Sequence, residues 1–177
     1  AIVFGAIAEK YPSLAAESLS YRAVFLNRTL DLRAARATYE ESLRLEPNAR
    51  VYGRLGNVLM RMEESDAALE AFEAGLEIDP DNVPSLLGMM TILVDKGNFQ
   101  EASELLARLP ANQEIHPTLM MKLAQGYYNS DQMETTKAIL DRTIRDHPDE
   151  AIAYYFRGLT ELNLNQTEAA RADMLKF

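Results

Sequence analysis

The stretch Tyr52–Asn82 reads YGRLGNVLMRMEESDAALEAFEAGLEIDPDN, and its spacing decides the fold. Tyr52, Leu55, Gly56 and Leu59 recur at i, i+3, i+4 and i+7, the period of one helical face. Gly56 precedes Ala68 by twelve residues, and Ala68 precedes Pro80 by twelve. Two small residues at that interval predict two helices joined by a short turn and packed closely. Gly56 and Ala68 let the backbones approach while Tyr52 and Phe72 fill the space beside them.

Working outward, the same frame recurs. Pro80 follows Pro47 by 33 residues and precedes Pro148 by 68, while Pro12 stands 35 before Pro47. Such a period marks a repeat architecture, in which each unit buries its face only by stacking on its neighbours. Ala23 and Ala35 precede Pro47, Ala124 and Thr136 precede Pro148, and Gly158 and Ala170 follow it in the same register. The unit after Pro80 keeps Ala102 but carries Met90 in place of a small residue, and it stops at Leu109-Pro110. Four residues after the second small position comes a large one: Tyr39, Phe72, Leu106, Leu140 or Met174. Asn98 with Glu101, Asp131 with Glu134 and Asn165 with Glu168 have the spacing of capping pairs and predict second-helix starts. Pro84 and Pro117 fall where first helices begin, a position that has no intrahelical partner for its N–H.

Tyr52–Asn82 closely resembles a tetratricopeptide repeat, and Ala151–Phe177 resembles a truncated one. The resemblance implies an all-α fold, a right-handed superhelix of antiparallel helix pairs. Residues 1–12 read as part of a preceding second helix, 16–48, 49–82, 83–116 and 117–150 as four repeats, and 151–177 as a truncated fifth. The chain starts at Ala1 without a Met and stops within a helical pattern, so it reads as a piece of something longer. Pentatricopeptide repeats bind RNA, which the acidic charge disfavours. Sel1-like repeats have longer, glycine-richer units than this chain with its 8 glycines.

The chain carries 18 basic and 27 acidic residues, a net charge of -9, so its average surface repels a nucleic-acid backbone. Cysteine is absent, which excludes disulfides and thiolate sites and leaves the compartment open between cytoplasm and periplasm. No apolar run approaches the ~20 residues that cross a bilayer; the segment reads as soluble.

If Tyr52, Leu55, Gly56 and Leu59 face the second helix, then Arg50, Gly53, Arg54, Asn57 and Arg61 form the opposite stripe. In the first unit that stripe holds Glu17, Ser20, Tyr21, Val24, Asn27 and Arg28. The fourth holds Met121, Lys122, Gln125, Tyr128 and Asn129, and the fifth Ile152, Tyr155, Phe156, Leu159 and Asn163. The family resemblance implies that these stripes line a concave groove for a protein or peptide partner. The expected reading is a peptide whose acidic part meets Arg28, Arg50, Arg54 and Arg61 and whose apolar side chains rest on Tyr128, Tyr155 and Phe156. The competing reading is that the arginines are solvated or paired with acids such as Glu17 or Glu63, as exposed arginines usually are. The lysine and asparagine by which some family members grip chaperone tails correspond here to Ser20 and Val24, so that use is disfavoured. Alternatives are a scaffold that self-associates or packs on flanking helices through Tyr155, Phe156 and Leu159, and the targeting arm of a larger enzyme.

No catalytic constellation emerges. His116 and His147, the two histidines, each precede a proline at a helix end, where capping explains them, and they have no metal-ligand spacing. No phosphate loop, nucleophile elbow or metal motif is present, so neither catalysis nor a cofactor is expected.

Overall fold

The computed structural model describes residues 11–176. Residues 1–10, most of the expected partial helix 1–12, lie outside the described residues. The described residues form ten helices and no strand. They are α1 (Pro12–Arg28), α2 (Leu32–Leu45), α3 (Ala49–Arg61), α4 (Ser65–Ile78) and α5 (Val83–Asp95), then α6 (Phe99–Arg108), α7 (Pro117–Asn129), α8 (Met133–Asp146), α9 (Ala151–Asn163) and α10 (Thr167–Met174). Prolines at the starts of α1 and α7 fix a helical φ where no backbone donor is needed. Two compact units divide the chain, Ala1–Ile92 and Leu93–Phe177, and the boundary falls inside α5.

Every hairpin is closed by the same turn. Leu30, Glu63, Gly97, Asp131 and Asn165 all take a left-handed backbone conformation, with φ of 65, 63, 80, 58 and 59°. In each case that residue's N–H donates back to the third residue before it. The next N–H donates five residues back: Asp31 to Leu26, Glu64 to Leu59, Asn98 to Leu93, Gln132 to Tyr127 and Gln166 to Glu161. These paired bonds satisfy the carbonyls that a helix C-terminus leaves open. They also correct the expected caps. Asp131 and Asn165 form the turn itself, α8 and α10 start after Gln132 and Gln166, and the Asn98 side chain makes no capping bond.

In the first unit the small-residue frame is buried as expected: Ala23, Ala35 and Ala68 are fully enclosed. Gly56 has a more particular role. A Cβ there would lie 2.3 Å from the Phe72 ring, and a Cβ at Gly88 would lie 2.1 Å from the same ring. Phe72 is therefore clamped between two glycines, one on α3 and one on α5. Met90, which occupies the small-residue position of its repeat, is fully buried, and Gly88 two residues earlier supplies the close approach.

The second unit uses the same device in a different register, with the Phe99 ring against Gly126, whose Cβ would fall 2.4 Å from it. Its core is built from Met120, Leu123, Ala124, Tyr127, Leu140 and Ala153. A polar seam runs across α8, α9 and α10. Arg157 donates to both oxygens of the buried Asp173 at 2.5 and 2.7 Å and to Asp141 at 2.8 Å. Hydrogen bonding to Asp173 is the largest of the influences that raise the Arg157 pKa above its ordinary value, so this cation is fixed. Lys137 spans Glu161 at 3.0 Å and Asp141 at 3.6 Å.

Two stability outcomes follow. Gly88→Ala forces the Phe72 ring out of its slot and is expected to cost about 1–3 kcal/mol in urea denaturation; adding Phe72→Leu should recover part of that loss, whereas strictly additive losses would refute the clamp. Leu30 is exposed and left-handed, so Leu30→Gly removes strain without removing packing. It is expected to raise stability by about 1 kcal/mol in the same assay, and a lower midpoint would refute the strain.

Candidate peptide-binding clefts

In the first unit, a cleft of about 900 Å³ lies between α1, the α2–α3 connection, the start of α3 and the α4–α5 connection. Local capping shapes its walls. The Asn48 side chain accepts from the N–H groups of Arg50 and Val51 at 3.0 and 3.3 Å, which starts α3 and sets Arg50 and Arg54 one turn apart on the cleft wall. Asn82 does the same for α5: its Oδ1 accepts from the Ser85 N–H at 3.2 Å and the Ser85 hydroxyl at 2.9 Å. Ser42 donates to the Ala16 carbonyl at 2.7 Å and pins α2 to α1.

Gly53, expected on the open stripe beside the arginines, is buried. A Cβ there would stand 2.9 Å from Pro84 Cβ and 3.0 Å from Asn82 Oδ1, so this glycine admits the start of α5 against α3. Nor do the four arginines form one cluster. Arg50 and Arg54 line the cleft, while Arg61 lies seven residues beyond Arg54, about 10 Å along the helix. Arg61 donates to the side chain and carbonyl of Asn27. Arg28 ends α1 and is exposed, as is Asn57 on α3. The ion pairs suggested with Glu17 or Glu63 do not form. Among the described residues Arg50 and Arg54 have no ionic partner, and Glu17 lines the same cleft without one.

Burial raises the Tyr39 phenol above its ordinary pKa, and the nearby positive charge of Arg54 opposes that shift. The charge of Arg54 is thus felt at Tyr39 in the core beside the cleft wall.

In the second unit, Lys122 pairs with Asp95 at 2.7 Å, and Tyr128 accepts from Asn163 Nδ2 at 3.0 Å. With Asn27–Arg61 in the first unit, these pairs join successive first helices within each unit. Gln125 and Asn129 are exposed on α7. Tyr155 and Phe156 meet edge to face at 5.9 Å, with Tyr155 exposed and Phe156 partly buried.

The histidines are terminal, as their positions imply. His116 Nδ1 accepts from the Thr118 N–H at 3.3 Å, and His147 Nε2 donates to the Ile115 carbonyl at 2.8 Å. Among the described residues no group of three or more acidic or histidine side chains is arranged to hold a metal ion. Sequence reasoning missed Asn82, although its place just before Val83-Pro84 is a helix-start signal. It also missed Glu46, Asp79 and Asp81 in the same cleft, for which no sequence signal exists.

Two family models, both described as tetratricopeptide repeat, match residues 28–83 and 122–176 in one case and 59–115 in the other. The chain belongs to the tetratricopeptide repeat family. It is 29% identical over 120 residues to the protein CTR9 homolog of Arabidopsis thaliana, covering 67% of this chain and 11% of that protein. To protein FlbA of Caulobacter vibrioides it is 30% identical over 153 residues, covering 85% of this chain and 26% of that one. The chain thus spans about a tenth and about a quarter of these two curated relatives. Among solved structures it is similar to YrrB, described as a tetratricopeptide repeat protein with an unusual peptide-binding site. The TM-score is 0.75 at 22% identity, over 98% of this chain and 89% of that one. It is also similar to MamA, at a TM-score of 0.72 and 19% identity over 87% of this chain and 91% of that one.

These tetratricopeptide repeats therefore place the chain in an all-α repeat fold generally used for protein interaction rather than catalysis. Among the described residues no helix is long and apolar enough to cross a membrane.

The Tyr39 environment makes a titration prediction. An unfolded tyrosine ionises near pH 10, and folding raises Tyr39 above that. Its neutral form is native below pH 10, and stability falls as the pH climbs from the unfolded value through the folded one. Absorbance titration at alkaline pH should show Tyr39, assigned with Tyr39→Phe, ionising above the ordinary tyrosine value, and later still in Arg54→Ala. An unchanged curve in Arg54→Ala would show that the Arg54 charge does not reach Tyr39.

Proposed function

We propose that this chain is a protein-interaction module that holds an extended segment of a partner polypeptide against the first helices of its repeats. The observation that carries the reading is the first-unit cleft of about 900 Å³, where Arg50 and Arg54 stand one turn apart with no ionic partner of their own. Guanidinium forks suit carboxylates, and charge-assisted bonds are about twice as strong as neutral ones. Asn57 extends the same face of α3, with Arg28 and Arg61 further along as supplementary cations. In the second unit, Gln125 and Asn129 offer amides, Tyr155 and Phe156 an aromatic edge, and Lys122 and Tyr128 polar groups through their existing pairs. YrrB, which shares the fold, is described as having a peptide-binding site, which makes the reading natural for this architecture.

The test begins with a random twelve-residue peptide library displayed on phage and selected on the whole chain. Enriched peptides are then measured by fluorescence anisotropy against the wild type and an Arg50→Ala, Arg54→Ala variant of unchanged helix content. Affinity is expected to fall at least about tenfold, or about 1.4 kcal/mol. Equal affinities would move the binding site elsewhere, and an empty selection would count against a peptide-binding function.

A further inference from the structure

Six charged side chains line the first-unit cleft, and none of them forms an ion pair with another of the described residues. Glu17 on α1 and Glu46 at the end of α2 stand on one side, Asp79 and Asp81 in the α4–α5 connection on the other, and Arg50 and Arg54 on α3. Helix α3 contacts α1 through Arg61–Asn27 and the start of α5 through Gly53–Pro84, so the two arginines lie on the middle wall. Elsewhere in the unit ion pairs do form. Arg36 reaches Glu40 at 2.8 Å and Glu64 at 2.6 Å.

Two further groups point into the same cleft. Asn82 and Ser20 are each 7% exposed and line it. Asn82 spends its Oδ1 on Ser85, while its Nδ2 and the Ser20 hydroxyl make no hydrogen bond among the described residues and are available at the cleft wall.

The order acid, cation, acid across the cleft is the complement of a ligand patterned cation, acid, cation. The lining carries four negative charges against two positive, and the whole chain is at -9, so a purely acidic ligand meets repulsion on both flanks. In an extended strand alternate side chains share a face and lie roughly 7 Å apart, which lets residues at i-2, i and i+2 reach one wall together.

We propose that the first-unit cleft recognises an extended, net-basic peptide segment with one acidic side chain two residues from a cation on either side. The acidic side chain seats between Arg50 and Arg54. The flanking cations face Glu17 and Glu46 on one side and Asp79 and Asp81 on the other, and Asn82 Nδ2 and the Ser20 hydroxyl serve the peptide main chain. This specificity rests on the reading of the cleft as a peptide site and replaces the acidic peptide expected from the arginines alone.

The experiment uses the whole chain and four fluorescent nine-residue peptides at low ionic strength. Their central five residues are KAEAK, the inverted EAKAE, the acidic EAEAE and the basic KAKAK. For the wild type, KAEAK should bind at least about tenfold tighter than EAKAE or EAEAE, and tighter than KAKAK. In an Arg50→Glu, Arg54→Glu variant with unchanged circular dichroism, KAKAK should become the tightest of the four. If EAKAE or EAEAE equals or exceeds KAEAK on the wild type, the charge pattern is overturned. If none of the four binds while library-selected peptides still depend on Arg50 and Arg54, the pattern is again overturned and the peptide site stands. If neither the four peptides nor the library yields a binder, both readings fall.

Discussion

A polypeptide that must pack two helices antiparallel has only a few residues in which to reverse, and here the turn inside each helix pair rests on one residue forced into the left-handed region. For an L-residue that conformation costs roughly 1–2 kcal/mol, and the two backbone bonds it permits offset the cost by satisfying carbonyls at the helix end. The same geometry holds at Leu30, Glu63, Gly97, Asp131 and Asn165, although glycine occupies only one of the five. Geometry is therefore held by the tertiary packing on either side of the turn and not by the identity of the turn residue. Because the turn fixes where the second helix begins, it brings Ala23 and Ala35, or Gly56 and Ala68, into the same buried seam.

That seam makes the faces unequal. Where backbones press together the interior is built of alanine and glycine with a few rings inserted, as Phe72 is between Gly56 and Gly88. The opposite faces of the first helices carry no such constraint and are free to hold polar and charged groups. Within each unit some of these groups bond their neighbours and stiffen the stack, as Arg61 does with Asn27 and Tyr128 with Asn163. Others, Arg50 and Arg54 among them, form no ion pair among the described residues.

The periodicity of small residues and prolines made the helix pairs legible, because close helix approach recurs at Ala23, Gly56, Ala124 and Gly158, with Met90 the departure for which Gly88 makes room. The turns were less legible. An Asp or Asn three residues before a Glu has the same sequence form whether it caps a helix or adopts the left-handed turn, and at Asp131 and Asn165 the turn won. Gly53 sat on the face assigned to a ligand, yet the approach of Pro84 buries it, since a helical stripe says nothing about which neighbouring connection folds over it. Charge was the least legible. The arginines at 50, 54 and 61 share a stripe, but pairing depends on where side chains from other helices and connections fall, and the acids of the cleft come from three separate segments.

Pairing among surface charges is itself worth little, about 0–1 kcal/mol for an exposed pair, so stability places no strong demand on where the acids and arginines of the cleft point. Asn82 and Ser20 line the same concavity as two guanidiniums and four carboxylates that form no ion pair among the described residues, while Arg36 a short distance along the chain closes two. On the proposed reading the charges left open there would be matched by a polypeptide that brings its own amides and charges, since a charge-assisted bond across a cleft gains more than an exposed pair on the protein's own surface.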